Sequence, residues 1–117
     1  MDFVDASSSI RDFLKAAFFD EFKSFRTWKI EAVAPLPCLL VKTIGKTTLQ
    51  ILVRSESDIE ALEKCTEICN YLKRNFSDIE GINVFDIDFQ MTPVPNVDET
   101  TKKDEAWCYM YINYFEN

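Results

Sequence analysis

The sequence predicts an α+β domain: an antiparallel or mixed sheet of about five strands with two helices packed on one face, in the order α-β-β-β-α-β-β. Three observations carry this. Two stretches, around residues 10–25 and 58–75, repeat apolar residues at three- and four-residue spacing, the period of a helix face. Several others alternate along the chain with the period of a strand. The turns between consecutive strands are short, so neighbouring strands pair antiparallel.

The first helix follows Ser7-Ser8-Ser9, any of which is suited to cap it, and is expected to run to about Thr27. Its stripe is Ile10, Phe13, Leu14, Ala17, Phe18, Phe22 and Phe25. Phe19 lies off the centre of that stripe, either widening the buried face or touching a partner. "TWKIEAVAP" then reads as a short strand, stopped by "PLP", because proline supplies no ladder donor. "CLLVKT" and "TLQILVRS" form a hairpin around Gly45. On the second of these, Leu49, Ile51 and Val53 face one way and Gln50, Leu52 and Arg54 the other.

Ser57 followed by Glu60 is a capping box, and it opens a helix expected from Asp58 to Asn75. In "INVFDIDFQM", Phe85, Ile87, Phe89 and Met91 are expected to share one face, with Ile82, Val84, Asp86, Asp88 and Gln90 on the other, whose polar part begins midway. "TPVPNVDETTKKDE" reads as a long polar connection. The closing "AWCYMYINYF" sets Ala106, Cys108, Met110, Ile112 and Tyr114 against Trp107, Tyr109, Tyr111, Asn113 and Phe115.

At 117 residues the chain is read as one domain, 1–117. No apolar run is long enough to span a bilayer, so no membrane partner is expected. The opening "MDFVDASSSIRDF" lacks a basic start followed by an apolar block, so work in the compartment of synthesis is expected. Twenty acids against thirteen bases give a formal charge of −7, which argues against a broad nucleic-acid-binding surface.

Little in the chain carries chemistry. The junction "RSESDIE" has no glycine and three acids, so it is not a phosphate cradle, and capping explains Ser57 and Glu60. Asp86 and Asp88 share a strand face but have no further ligand set by spacing; the polar side of a half-exposed strand accounts for them. There is no His, so Ser-His and Cys-His arrangements are absent. Cys65 and Cys69 share a helix face, while Cys38 and Cys108 lie in separate segments; all four are expected to be reduced and buried. No enzymatic activity, metal or cofactor is expected. The final strand is more informative. A row of Trp107, Tyr109, Tyr111 and Phe115 suits an interface with another subunit, or else packing under a neighbouring loop. Arg54 is either a solvated charge at a strand end or an inter-subunit partner for an acid.

Two phrases add a resemblance. "LQILVRSESDIEALEKCTEICNYL" resembles a segment of small minor structural proteins of tailed bacteriophages and prophages, the minor capsid and tail-terminator (tail-completion) proteins. "FQMTPVPNVDETTKKDEAWCYMYINYF" is similar to that family's close, and "IRDFLKAAF" to its opening helix. The likeness spans residues 8 to 116. The loop "NVDETTKK" departs from the Gly-rich or Arg-containing turn of the family.

The resemblance implies a non-enzymatic virion protein, assembled in the bacterial host cytoplasm. It would form a hexameric ring at the head-proximal end of the tail, ending tail polymerisation and presenting a surface to the head–tail connector protein. Its partners would be itself, the tail-tube protein and the connector, with DNA passing through unbound. Ring closure needs a heterologous contact, for which the aromatic strand and the edge near "PLPCLL" are candidates. The acids Asp86, Asp88, Asp98, Glu99 and Asp104 are candidates for the lumen. The alternatives are a head-completion or neck protein at the portal, an acidic host-modifying inhibitor, and an enzyme built on "DID".

Overall fold

A computed structural model describes residues 5–116, leaving part of the opening read for a leader outside the described residues. The fold is α+β, with two helices on one face of a six-stranded mixed sheet. Helix α1 spans Ser7–Phe18, β1 Ser24–Thr27, β2 Cys38–Ile44, β3 Thr48–Ser55, α2 Asp58–Asn75, β4 Ile82–Phe89, β5 Val94–Val97 and β6 Asp104–Glu116. The strand order is β1-β2-β3-β6-β4, and β5 also lies against β6. Only β1 and β2 are parallel.

Strand β6 organises the sheet. One of its edges carries all of β3, from Thr48 opposite Tyr111 to Ser55 opposite Asp104. Its other edge carries β4 and β5 in succession, both antiparallel to it, so residues 82–97 run along β6 as one interrupted ribbon. The polar connection expected at residues 92–105 therefore contains a strand. Pro95 is tolerated there because β5 pairs on one side only.

The core lies between this sheet and the helices. Leu39 and Val41 of β2, Leu49, Ile51 and Val53 of β3, and Ala106, Cys108, Met110 and Ile112 of β6 are all buried, as the alternation predicts. They meet Ile10, Leu14 and Phe18 of α1, and Ala61, Cys65, Ile68, Cys69 and Leu72 of α2. All four cysteines are free and buried. Hydrogen bonding to Cys108 and Cys65, together with burial, pushes the Cys69 thiol far up.

Helix α1 stops at Phe18, nine residues before the expected end at Thr27. Phe22 and Phe25 keep helical spacing, yet they reach the core from a turn and a strand, with their rings 5.6 Å apart. Pairing Ser24–Thr27 with Cys38–Val41 satisfies those backbone groups in a ladder instead. "TWKIEAVAP" is correspondingly not a strand. Residues 28–37 are the crossover that carries the chain back to begin a parallel neighbour, and a returning segment cannot join the ladder it serves. Trp28, at φ 71°, ends the extended run.

The serines do not cap α1. Asp5 does so from outside the helix, its Oδ1 accepting from the Ser7 amide at 2.9 Å and the Ser7 hydroxyl at 2.7 Å. The same carboxylate accepts from the Thr43 hydroxyl (2.8 Å) and the Trp28 indole (2.8 Å), tying α1 to β2 and the crossover. Partial burial opposes its charge, but these donors outweigh it and hold the Asp5 carboxyl below its usual range.

At α2, Ser57 accepts from the Glu60 amide at 3.3 Å, half of the predicted box. The return half runs through Ser55: the Ser57 amide donates to the Ser55 hydroxyl, which donates to Glu60.

Candidate interaction surface

The face of the sheet away from the helices is laid out by register, since directly paired residues point the same way. One row across it is Cys38, Arg54, Glu105 and Asn96. The next is Leu40, Leu52, Trp107 and Val94. Then come Lys42, Gln50 and Tyr109, followed by Ile44, Thr48, Tyr111 and Asp88. Beyond the end of β3 lie Asn113 opposite Asp86 and Phe115 opposite Asn83.

The crossover holds down one corner of this face. Ser24 donates to the Pro35 carbonyl at 2.6 Å, and Arg26 pairs with Glu31 at 2.8 Å. Away from that corner no helix lies on this side. Trp107 and Tyr109 are half-buried with ring centroids 4.9 Å apart, while Tyr111 is 56% and Phe115 45% exposed. The four aromatics singled out in the sequence thus share one surface.

Arg54 stands on the same face but is neither solvated nor without a carboxylate of its own chain. It is buried, its Nε 2.9 Å from Glu105 and an Nη 3.6 Å from Asp98. Asn96 donates to the other Glu105 oxygen at 3.2 Å. Glu105 is the partner that sequence reading passed over, because it sits in a stretch that reads as a polar loop and only the register brings it opposite Arg54.

The five acids separate into two groups. Asp98 and Glu99 lie in the β5–β6 loop, and Asp104 opens β6 at the base of that loop, opposite Val97. Asp98 is turned inward there, and the Thr101 hydroxyl and amide, with Arg54 nearby, hold its carboxyl below the usual range. Asp86 and Asp88 lie on β4 opposite Asn113 and Tyr111. Strand rise along β6 puts Asp86 roughly 30 Å from the hairpin tip. Lys73, 3.0 Å away, and the Phe89 amide hold the Asp88 carboxyl low. Among the described residues no three metal-ligating side chains converge.

A bulge corrects the predicted faces of β4. The register shifts between Val84 and Asp86, so Ile82, Val84, Ile87 and Phe89 all lie toward the core. Phe85, expected to share a face with Ile87 and Phe89, is instead 55% exposed and packs on Phe115 with centroids 4.9 Å apart. The signal was present in the sequence: two apolar pairs of period two, separated by a step of three.

No protein-family model matches the chain, and neither does any curated protein.

Proposed function

We propose that the protein is a non-enzymatic structural component of a tailed bacteriophage or prophage, a tail terminator that forms a ring on the head-proximal end of the tail tube. The observation that carries this reading is the open sheet face. Trp107, Tyr109 and Tyr111 form an aromatic row on a rigid central strand, uncovered by either helix. Large aromatics on a flat, preorganised surface are the anchors of protein–protein contacts. In the assembly this face meets another subunit, of the ring or of the tail tube.

The same reading gives the charge a use. The exposed Glu99 at the hairpin tip is the candidate to line a lumen through which DNA passes unheld. Asp98 is bound inward and serves the loop instead. Electron microscopy of virions lacking this protein tests the proposal. Tails of uncontrolled length are expected; normal tails on leaking heads would replace termination with neck completion.

A further inference from the structure

The two edges of the sheet differ in charge. Between residues 22 and 34, which hold β1 and most of its crossover, three bases stand against one acid. That acid, Glu31, is already closed by Arg26 at 2.8 Å. Lys23 and Lys29 are exposed, and among the described residues neither lies within ion-pair distance of a carboxylate. Between residues 77 and 90, which hold β4 and the turn before it, there are four acids and no base. Lys73 neutralises Asp88, while Asp78, Glu80 and Asp86 are exposed.

Each edge also carries exposed apolar surface. Beside β4, Ile79, Glu80, Asn83, Phe85 and Phe115 line a groove of about 370 Å³. Its apolar wall is the Phe85–Phe115 pair that the bulge turns outward. The β1 crossover carries exposed apolar side chains to set against it: Val33, 89% exposed, and Trp28, 48% exposed, on either side of Lys29 and Glu31 in sequence. Exposed apolar side chains in a lysine-bearing stretch thus answer an apolar groove that has one carboxylate, Glu80, in its lining and a second, Asp86, next to Phe85 on β4. β1 and β4 are the terminal strands, so among the described residues no strand covers either outer edge.

We infer that copies of this chain associate head to tail, the β4 edge of one receiving the β1 crossover of the next. Val33 seats against Phe85 and Phe115, and Lys23 and Lys29 meet Glu80 and Asp86. The two surfaces differ, so the contact is heterologous and either closes into a ring or grows. This deepens the assembly reading and rests on it for the ring; the contact itself stands on the edges alone. It also leaves the Trp107–Tyr111 face free for a different neighbour.

Two charge-reversal variants of the full chain test it by light scattering and sedimentation. Glu80→Lys with Asp86→Lys blocks one edge; Lys23→Glu with Lys29→Glu blocks the other. All four positions are exposed, so circular dichroism and urea melts are expected to stay near wild type. Wild type is expected to oligomerise, more weakly as salt rises. Each variant alone is expected to dissociate at concentrations about tenfold higher than wild type or more. Their equimolar mixture pairs the two intact edges, and the two reversed edges are again opposite in charge, so assembly toward the wild-type size is expected to return. A wild-type chain that stays monomeric at ~100 µM, variants that assemble like wild type, or a mixture that assembles no better than the variants alone overturns the contact. Normal tails and heads in virions lacking the protein would instead overturn the phage assignment and leave the contact standing.

Discussion

The guanidinium of Arg54 lies 2.9 Å from the Glu105 carboxylate, and both are buried on a sheet face that has no helix over it. The pair joins β3 to β6 directly across the ladder. Asp98 and Asn96 complete it, so the strand pair and the root of the hairpin loop share one polar cluster. Glu105→Ala leaves a buried guanidinium with only the longer Asp98 contact. It is expected to cost about 3 kcal/mol in urea unfolding. Replacing both members with apolar residues, Arg54→Met with Glu105→Leu, is expected to cost far less. A double-variant loss as large as the single one would show that the charges themselves stabilise the fold.

Asp5 predicts an acid limb. Its folded-state pKa is lowered, so the stability it contributes is complete above its unfolded value and is lost as pH falls through the folded one. Wild type should therefore lose stability steeply below about pH 4. Asp5→Asn is expected to be less stable at neutral pH, by about 1 kcal/mol, with a shallower decline. Parallel acid limbs for the two proteins would remove Asp5 from the account.

The relay at the start of α2 makes Ser55 as important as the cap itself. Ser57→Ala is expected to lower stability by about 1 kcal/mol. Ser55→Ala breaks the link from Glu60 to the Ser57 amide from a fully buried position and should cost as much. Thermal melts of the two single variants and the double variant decide it. Effects that simply add would argue against a shared network.

Tyr111 separates folding from assembly. With 56% of its surface exposed and Asp88 directly opposite, Tyr111→Lys avoids a like-charge pair and should change stability by no more than about 1 kcal/mol. If the open face meets a neighbouring subunit, the same change should abolish complementation and leave tails of uncontrolled length. A variant that melts normally and assembles normally would exclude this part of the face from the interface.

The sequence marked the elements whose signal is local. Helix α2 lies where its capping serine and apolar face place it, at Asp58–Asn75, and the faces of β3 and β6 follow their alternation. The misreadings share a cause. The spacing of Phe22 and Phe25 reads as helical, and parallel pairing of Ser24–Thr27 with a segment more than ten residues later overrides it. β5 lacks the alternation of a strand and exists because β6 supplies its partner. The aromatic surface was legible because one strand carries it. The two charged edges were not, since each draws on residues that only the strand order brings to one side.

The place of β6 sets the order of events during synthesis. Ser55 finds its partner only at Asp104, 49 positions later, and β4 waits for the same strand. While the ribosome is still working through the hairpin tip, β2 and β3 can zip together but the inner flank of β3 stays open. The sheet is completed by inserting its middle last, a non-local closure that slows folding. Rapid overexpression should thus favour insoluble protein, and slowing synthesis or lowering temperature should recover it.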